Sequence, residues 1–265
     1  MATASAEAPA VSIDPFRLDG KVALVTGASR GLGAAMAIAL ANAGAEVALH
    51  ASEQPAATTA RAIAESSGRR TETLIANLSD RAAGDRLMAD TLTRFGRLDI
   101  LVNNAGIIRR RPAAEHDDEF WDAVIEVNLS SVFRLSRAAG AHMIERQQGG
   151  KIINIASVLS FQGGITVPGY AAAKGGVAQL TRSLANEWAR HGINVNAIAP
   201  GYFETDNTSA LRADQARNRQ ITERIPAGRW GVPPELGGAV VFLASRASDY
   251  VHGHVLVVDG GWMGR

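Results

Sequence analysis

The sequence predicts an α/β fold, a single doubly wound domain of seven parallel strands with helices on both faces, and three observations carry that expectation. From Lys21 onward, short β-branched runs alternate with longer Ala-rich stretches. The runs are almost continuously apolar, as strands covered on both faces are, rather than alternating as half-exposed strands do. The chain has 265 residues, 46% hydrophobic and 20% charged, enough to bury one large core. After Lys21 it shows no repeat, linker or low-complexity tract at which to divide it.

The opening MATASAEAPAVSIDP is rich in Ala, Ser and Pro, with neither the basic start and apolar run of a signal peptide nor the arginines of a transit peptide. It reads as a flexible arm over residues 1–17, the folded domain running from 18 to 265. The seven strand candidates are KVALVT, AEVALH, TETLIA, LDILVN, KIINIAS, INVNAIA and HVLVVD. Between them, pieces such as GLGAAMAIALANAG and DEFWDAVIEVNLSSVFRLSRAAGAHMIER are long enough for helices and rich in helix formers. In such a sheet ligands bind beyond the carboxyl ends of the strands, where strand order reverses. Motifs that directly follow strands therefore carry the functional weight.

Composition narrows the partners. A formal net charge of +1 gives no basic field for nucleic acid, and no apolar run reaches the roughly 20 residues that span a bilayer. A small molecule is the expected partner. With no cysteine, disulfides and thiolate metal sites are excluded, which points to a reducing, cytoplasmic setting. The six histidines show no ligand spacing, so no metal site is expected, and His50, His142 and His191 read as surface or cap residues.

TGASRGLG follows the first strand and places Gly27, Gly31 and Gly33 at G-x-x-x-G-x-G spacing ahead of a helix. Glycines there permit positive φ and a close approach of backbone N–H groups to a diphosphate, at the positive end of the helix. The same string also suits a tight turn with no ligand. At the end of the second strand, where an acidic residue would grip the ribose hydroxyls of NAD, the chain has His50, Ala51 and Ser52. Arg30, inside the turn, is either a partner for the 2′-phosphate of NADP or a solvated loop arginine, and the residues leave the choice of cofactor open.

In NIASVLSFQGGITVPGYAAAK, Ser157 closes a strand, while Tyr170 and Lys174 are spaced to share one face of a helix. A phenol of pKa about 10 is a poor base at neutral pH, and a neighbouring ammonium lowers that value. A fixed hydroxyl, a tunable phenol and a cation together hold an alcohol or ketone while its proton moves. Taken alone, the Tyr and Lys pair is equally a helix-surface pair.

TGASRGLG, NNAG at 103–106, Asn128 in VNLSSVF, Ser157, Tyr170 with Lys174, and PGYFET from Pro200 jointly resemble the short-chain dehydrogenase/reductase family, from about Leu18 to the end of the chain. The resemblance implies a Rossmann-like domain, a nicotinamide cofactor and a homotetramer. It makes Tyr170 the general acid and base, and has Lys174 lower the phenol's pKa and hold the nicotinamide ribose. Ser157 orients the reacting oxygen, and Asn128 keeps a proton-relay water in place. The implied cofactor contacts are Gly27, Ser29, Arg30, Gly31, Leu32 and Gly33 in the turn, and Ala51 at the end of the second strand. Asn77 and Leu78 follow the third strand, Asn104, Ala105 and Gly106 the fourth, and Pro200, Gly201 and Thr205 the sixth. At Asn77 the family commonly has an aspartate that accepts from the adenine amino group; an asparagine still accepts through its carbonyl.

Longer stretches, among them NNAGIIRR, ERIPAGRWG and FLASRASDYVHGHVLVVDGGW, are most similar to the 2-dehydro-3-deoxy-D-gluconate 5-dehydrogenases of that family, which act in the breakdown of pectin-type uronates and generally use NAD. The implied substrate is thus a secondary alcohol or ketone on a deoxy sugar acid. Arg109, Arg110 and Arg111 follow NNAGII, and a guanidinium can hold a carboxylate through two parallel hydrogen bonds. Arg109 or Arg110 is the candidate, a solvated loop or a subunit contact the other reading. Gln162 either reaches sugar hydroxyls or bonds within its loop. A gluconate 5-dehydrogenase-like reductase, an NADPH-dependent 3-oxoacyl-acyl-carrier-protein reductase and a non-catalytic dinucleotide sensor share parts of this pattern. The closing GGWMGR is expected near a subunit contact.

Overall fold

The computed structural model describes residues 14–265. Most of the expected arm lies outside the described residues; its end, Asp14–Phe16, is one short 3₁₀ turn. The first half of the domain runs β1 (Val22–Val25), α1 (Gly31–Asn42), β2 (Glu46–Ala51), α2 (Ala57–Ser66), β3 (Thr71–Ile75), α3 (Ala83–Phe95) and β4 (Ile100–Asn103). The second half runs α4 (Asp118–Ile125), α5 (Ser131–Arg146), β5 (Gly150–Ile155), α6 (Pro168–Trp188), β6 (Ile193–Pro200), α7 (Ser209–Ala213), α8 (Gln215–Arg224), α9 (Gly237–Ala244) and β7 (Val255–Val258). All seven strand candidates are strands of one parallel sheet, in the order β3-β2-β1-β4-β5-β6-β7.

Alternation along β1 shows why both faces are covered. Ala23 and Val25 point into a core shared with Met36 and Leu40 of α1 and Val240 and Leu243 of α9. Leu24, between them, points the other way, toward Leu87 of α3, Leu135 of α5 and Leu184 of α6. A strand inside the sheet therefore needs consecutive covered positions, and β6 buries every one of its residues. Strand order reverses between β1 and β4, and the register keeps their carboxyl ends level: Val25 pairs with Val102, and Val102 with Ile153 of β5. That crevice is where the fold presents a ligand.

The stretch DEFW…MIER is two helices rather than one. A π turn, Glu126–Ser130, joins α4 to α5, and Asn128 sits in it fully buried. Such an extra residue in a helix commonly marks a functional position. Farther along α5, Gly140 lies against the indole of Trp188 in α6, and a Cβ there would come within 2.7 Å of the ring. Gly140→Ala is expected to cost about 1–3 kcal/mol by overpacking this helix contact. Denaturant unfolding checks it, and an unchanged midpoint would contradict this packing.

Candidate active site

The glycine turn is shaped by its contacts with the rest of the sheet edge. Gly31 has φ of +58°, open to glycine at little cost. At Gly33 the constraint is proximity: a Cβ would stand 2.2 Å from the Gly27 carbonyl oxygen and 2.4 Å from Asn104 Nδ2. Asn104 Nδ2 donates to the carbonyls of Thr26 (2.8 Å) and Gly27 (3.2 Å), while Thr26 Oγ1 accepts from Asn104 N–H (2.9 Å) and Ala105 N–H (3.0 Å). The two turns that wall the cleft are thus one hydrogen-bonded unit. Arg30 stands at the N-cap of α1 without a side-chain cap, so the helix's first amides are left to face a ligand.

His50 does not lie at the surface, as the sequence reading had it. It is 1% exposed, its Nδ1 accepts from Gly27 N–H at 3.2 Å, and its Nε2 donates to the Ala76 carbonyl at 2.9 Å. An N–H on one side and a carbonyl on the other fix the neutral Nε2–H tautomer. Burial also holds the imidazole below its ordinary pKa, against the opposing pull of the Ala76 carbonyl. The position reads from sequence as a missing acid; in the fold it is a brace beneath the glycine turn.

The expected catalytic set converges at the carboxyl end of β5. Pro168 opens α6 at its first turn, which places Tyr170 near the helix's positive end and Lys174 one turn on. Lys174 is 4% exposed and its ammonium donates to the Ile155 carbonyl at 2.5 Å; burial lowers its pKa to about 8. Ser157 is extended and caps the 3₁₀ turn Val158–Ser160. Ser160 Oγ donates to the Lys174 carbonyl at 2.7 Å, which ties this turn to α6. Among the cofactor residues expected from sequence, the cleft brings together Arg30, Gly31, Leu32 and Gly33 with Asn104, Ala105 and Gly106, and adds Tyr170, Lys174 and Thr205. Ile155, Asp206 and Asn207 also line it without having been singled out.

The acidity of Tyr170 is set by opposing influences. Desolvation raises its pKa, while a hydrogen bond from Ser157 and the positive field of Arg110 pull it down; the net direction is upward. Lys174 lies 5.6 Å from the ring centroid and directs its ammonium at the Ile155 carbonyl.

The arginine run divides by role. Arg109 lies over the Phe120 ring at 5.8 Å, and Arg111 lies over the same ring and pairs with Asp117. Arg110 alone turns to the site: it donates to the Asn207 carbonyl at 3.3 Å, and its field reaches both Tyr170 and Tyr202. Gln162 does not point its carbonyl into the open, since Oε1 accepts from the Trp262 indole at 2.8 Å. Trp262, 5% exposed, packs 4.6 Å from Tyr202, and Arg224 lies over its ring at 3.9 Å. The closing GGWMGR thus packs its tryptophan against the loops that follow β5 and β6 within the same chain.

Several expected residues work through the backbone or through neighbours. Asn128 spends its side chain on Ile107, accepting from its N–H and donating to its carbonyl, both at 2.8 Å. It clamps the loop after β4. Asn77 Oδ1 accepts from Ser79 N–H (3.0 Å) and Ser79 Oγ (2.8 Å), while the Leu78 and Ala51 side chains are buried. Ser29, exposed beside Arg30, offers a hydroxyl at the turn's rim. After Pro200 ends β6, Gly201 lets the chain pass Asp259, whose Cα would be 2.7 Å from a Cβ there. Among the described residues no cluster of His, Asp or Glu could hold a metal ion.

A phosphate-binding turn facing a serine, tyrosine and lysine across a strand-order switch defines a dinucleotide-dependent oxidoreductase. The family model described as enoyl-(acyl carrier protein) reductase matches residues 27–263. Among curated relatives, 2-dehydro-3-deoxy-D-gluconate 5-dehydrogenase of Dickeya dadantii is 53% identical over 253 residues, covering 96% of this chain and 99% of the relative. Gluconate 5-dehydrogenase of Gluconobacter oxydans is 44% identical, covering 94% and 96%. Of solved structures, an NADP-bound protein from Agrobacterium tumefaciens superposes with TM-score 0.90 at 53% identity, covering 95% and 99%. A gluconate 5-dehydrogenase from Burkholderia cenocepacia in complex with NADP and tartrate gives 0.90 at 45%, covering 95% and 98%. The chain belongs to the short-chain dehydrogenase/reductase family.

Two variants test the supports the sequence did not reveal. His50→Ala leaves a buried N–H and a buried carbonyl without partners and is expected to cost about 1–3 kcal/mol, with weaker dinucleotide affinity by titration. Unchanged stability and affinity would remove His50 from the account. Trp262→Phe keeps the ring but loses the bond to Gln162. It is expected to raise KM for the substrate severalfold, about 1 kcal/mol, and to leave the dinucleotide Kd as it was.

Proposed function

We propose that this protein interconverts a secondary alcohol and a ketone on a deoxy sugar acid, as a 2-dehydro-3-deoxy-D-gluconate 5-dehydrogenase, with a nicotinamide dinucleotide as hydride partner. The observation that carries the reading is Arg110, which donates to the carbonyl of Asn207 in the cleft lining and whose charge favours the Tyr170 phenolate, a guanidinium that suits a substrate with a carboxylate. The names of the relatives support the same substrate class, and the tartrate held by the Burkholderia protein is a hydroxy acid.

The cofactor, when bound, takes up or delivers the hydride. The open amides at the start of α1 and the positive-φ turn suit its diphosphate. Ser157 holds the reacting oxygen. Tyr170 takes the alcohol's proton during oxidation and returns it during reduction, and the Ser157 hydrogen bond and Arg110 favour its ionised form. Lys174, its pKa lowered by burial to about 8, lines the same cleft as the phenol. Asn128 keeps the loop after β4 in place beside them.

Both NAD and NADP fit the reading. Ala51 brings no carboxylate to the end of β2, and Arg30 supplies a cation at the turn, where it pairs with Asp206 at 3.1 Å. The NADP held by related structures supports that acceptance. Trp121 on α4 and Phe133 on α5, 40% and 41% exposed, offer apolar surface for subunit contacts, in keeping with a cytoplasmic homotetramer.

Initial rates on 2-dehydro-3-deoxy-D-gluconate, D-gluconate, 2-deoxy-D-gluconate and an acetoacetyl thioester, each with both cofactors, test the substrate. The deoxy keto acid is expected to be fastest; a faster thioester would replace this reading with an oxoacyl reductase. Arg110→Ala is expected to raise KM for the acid by about 10- to 100-fold, the loss of a charge-assisted hydrogen bond, and to change a neutral analogue little. Tyr170→Phe is expected to lower kcat by about 10²- to 10⁴-fold, where unchanged turnover would leave a dinucleotide sensor. Arg30→Ala is expected to lower kcat/KM with NADP and spare NAD.

A further inference from the structure

A second cavity, of ≈ 630 Å³, opens at the opposite end of the sheet and shares no lining residue with the cofactor cleft. Its volume is that of a small-molecule site. The amino ends of four neighbouring strands form its floor. Lys21 immediately precedes β1, Asp99 immediately precedes β4, and Lys151 of β5 pairs in register with Asn194 of β6. Backbone bonds keep the row level: Asp99 N–H donates to the Val22 carbonyl and Lys151 N–H to the Asp99 carbonyl, each at 2.9 Å. Arg17, Asp19, Arg246, Asp249 and His252 also line it.

Two of the cations in its wall, Lys21 and Arg246, have no ion-pair partner among the described residues. Each carboxylate in the wall already has a cation: Asp19 has Arg17 and Arg69, Asp99 has Arg97 and Arg146, and Asp249 has Lys151. Among the described residues neither Lys21 nor Arg246, both exposed and both lining the cavity, stands within ion-pair distance of an acid. Beside these paired carboxylates, the lining therefore carries two cations with no acid of the described residues within ion-pair distance. The excess is felt locally: burial depresses the Lys151 ammonium, the hydrogen bond and charge of Asp249 oppose that, and the nearby Lys21 depresses it further. Two ammonium groups facing one cavity at a mutual cost is the arrangement an anion relieves.

We infer that this cavity binds a small dianion, a phosphate ester or a dicarboxylate, with Lys21 and Arg246 as its ion-pair partners. Binding is independent of turnover, so its test does not depend on the identity of the substrate.

The experiment follows the Tm of the NADP-saturated protein against inorganic phosphate and, separately, against succinate, at constant ionic strength. The expected result is a saturable rise with one or both, lost in the Lys21→Ala/Arg246→Ala variant and retained in Arg30→Ala, whose change lies in the cofactor cleft. A rise with phosphate alone assigns the site to phosphate esters, and a rise with both to dianions generally. No saturable rise, a rise that survives in the double variant, or one lost in Arg30→Ala would overturn the proposal. Both substituted side chains are exposed, so the double variant without added anion is expected to melt with the parent, which keeps the comparison interpretable.

Discussion

The hydrogen bonds between Thr26 and the Asn104–Ala105 turn fix everything else at the carboxyl edge of the sheet. They join the ends of β1 and β4 into one wall, and Gly33 must pass so close to that wall that no side chain fits. The start of α1 is held open to a diphosphate because its neighbours are fixed, with His50 bracing the same turn from below. Buried hydrogen bonds of this kind add little net stability when made, yet leaving one partner unmet is costly. The turn is correspondingly intolerant of change on every side.

On the other side of the crevice the design is electrostatic. Tyr170 and Lys174 share a helix, but each has its acidity set mainly by loss of water, upward for the phenol and downward for the ammonium. The hydroxyl of Ser157 at the end of β5 and the guanidinium of Arg110 beyond β4 favour the phenolate. The residue proposed as acid and base is thereby coupled to the group proposed to hold the substrate's carboxylate. A substrate anion on Arg110 would partly cancel the field that lowers the phenol, so binding and proton transfer are linked through one side chain.

Most of the fold was legible in the sequence because parallel strands buried on both faces have a plain signature, and all seven were found within a residue or two of their ends. The glycine turn and the Ser157, Tyr170, Lys174 set were legible for a related reason: their chemistry demands particular residue types at short spacing. What escaped depends on long-range proximity. Trp262 meets Gln162 across 100 residues of chain, and His50 meets Gly27 from a neighbouring strand. Neither pairing leaves a local pattern. The arginine run could be located, but only the packing of Phe120 and the pairing with Asp117 show that Arg109 and Arg111 are occupied and Arg110 faces the site. The π turn at Asn128 was hidden because its residues suit a helix and the interruption comes from a side chain drawn inward to Ile107.

The central claim is that Tyr170 carries the proton, with an acidity set against burial by Ser157 and Arg110. Its most direct test is the pH dependence of the oxidation rate at saturating substrate and cofactor, in the parent protein and in Arg110→Ala. The account predicts a rate that rises with pH as the phenol ionises, and a limb displaced to higher pH in the variant, because removing a positive neighbour disfavours the phenolate. A limb that stays in place, or moves to lower pH, would contradict it.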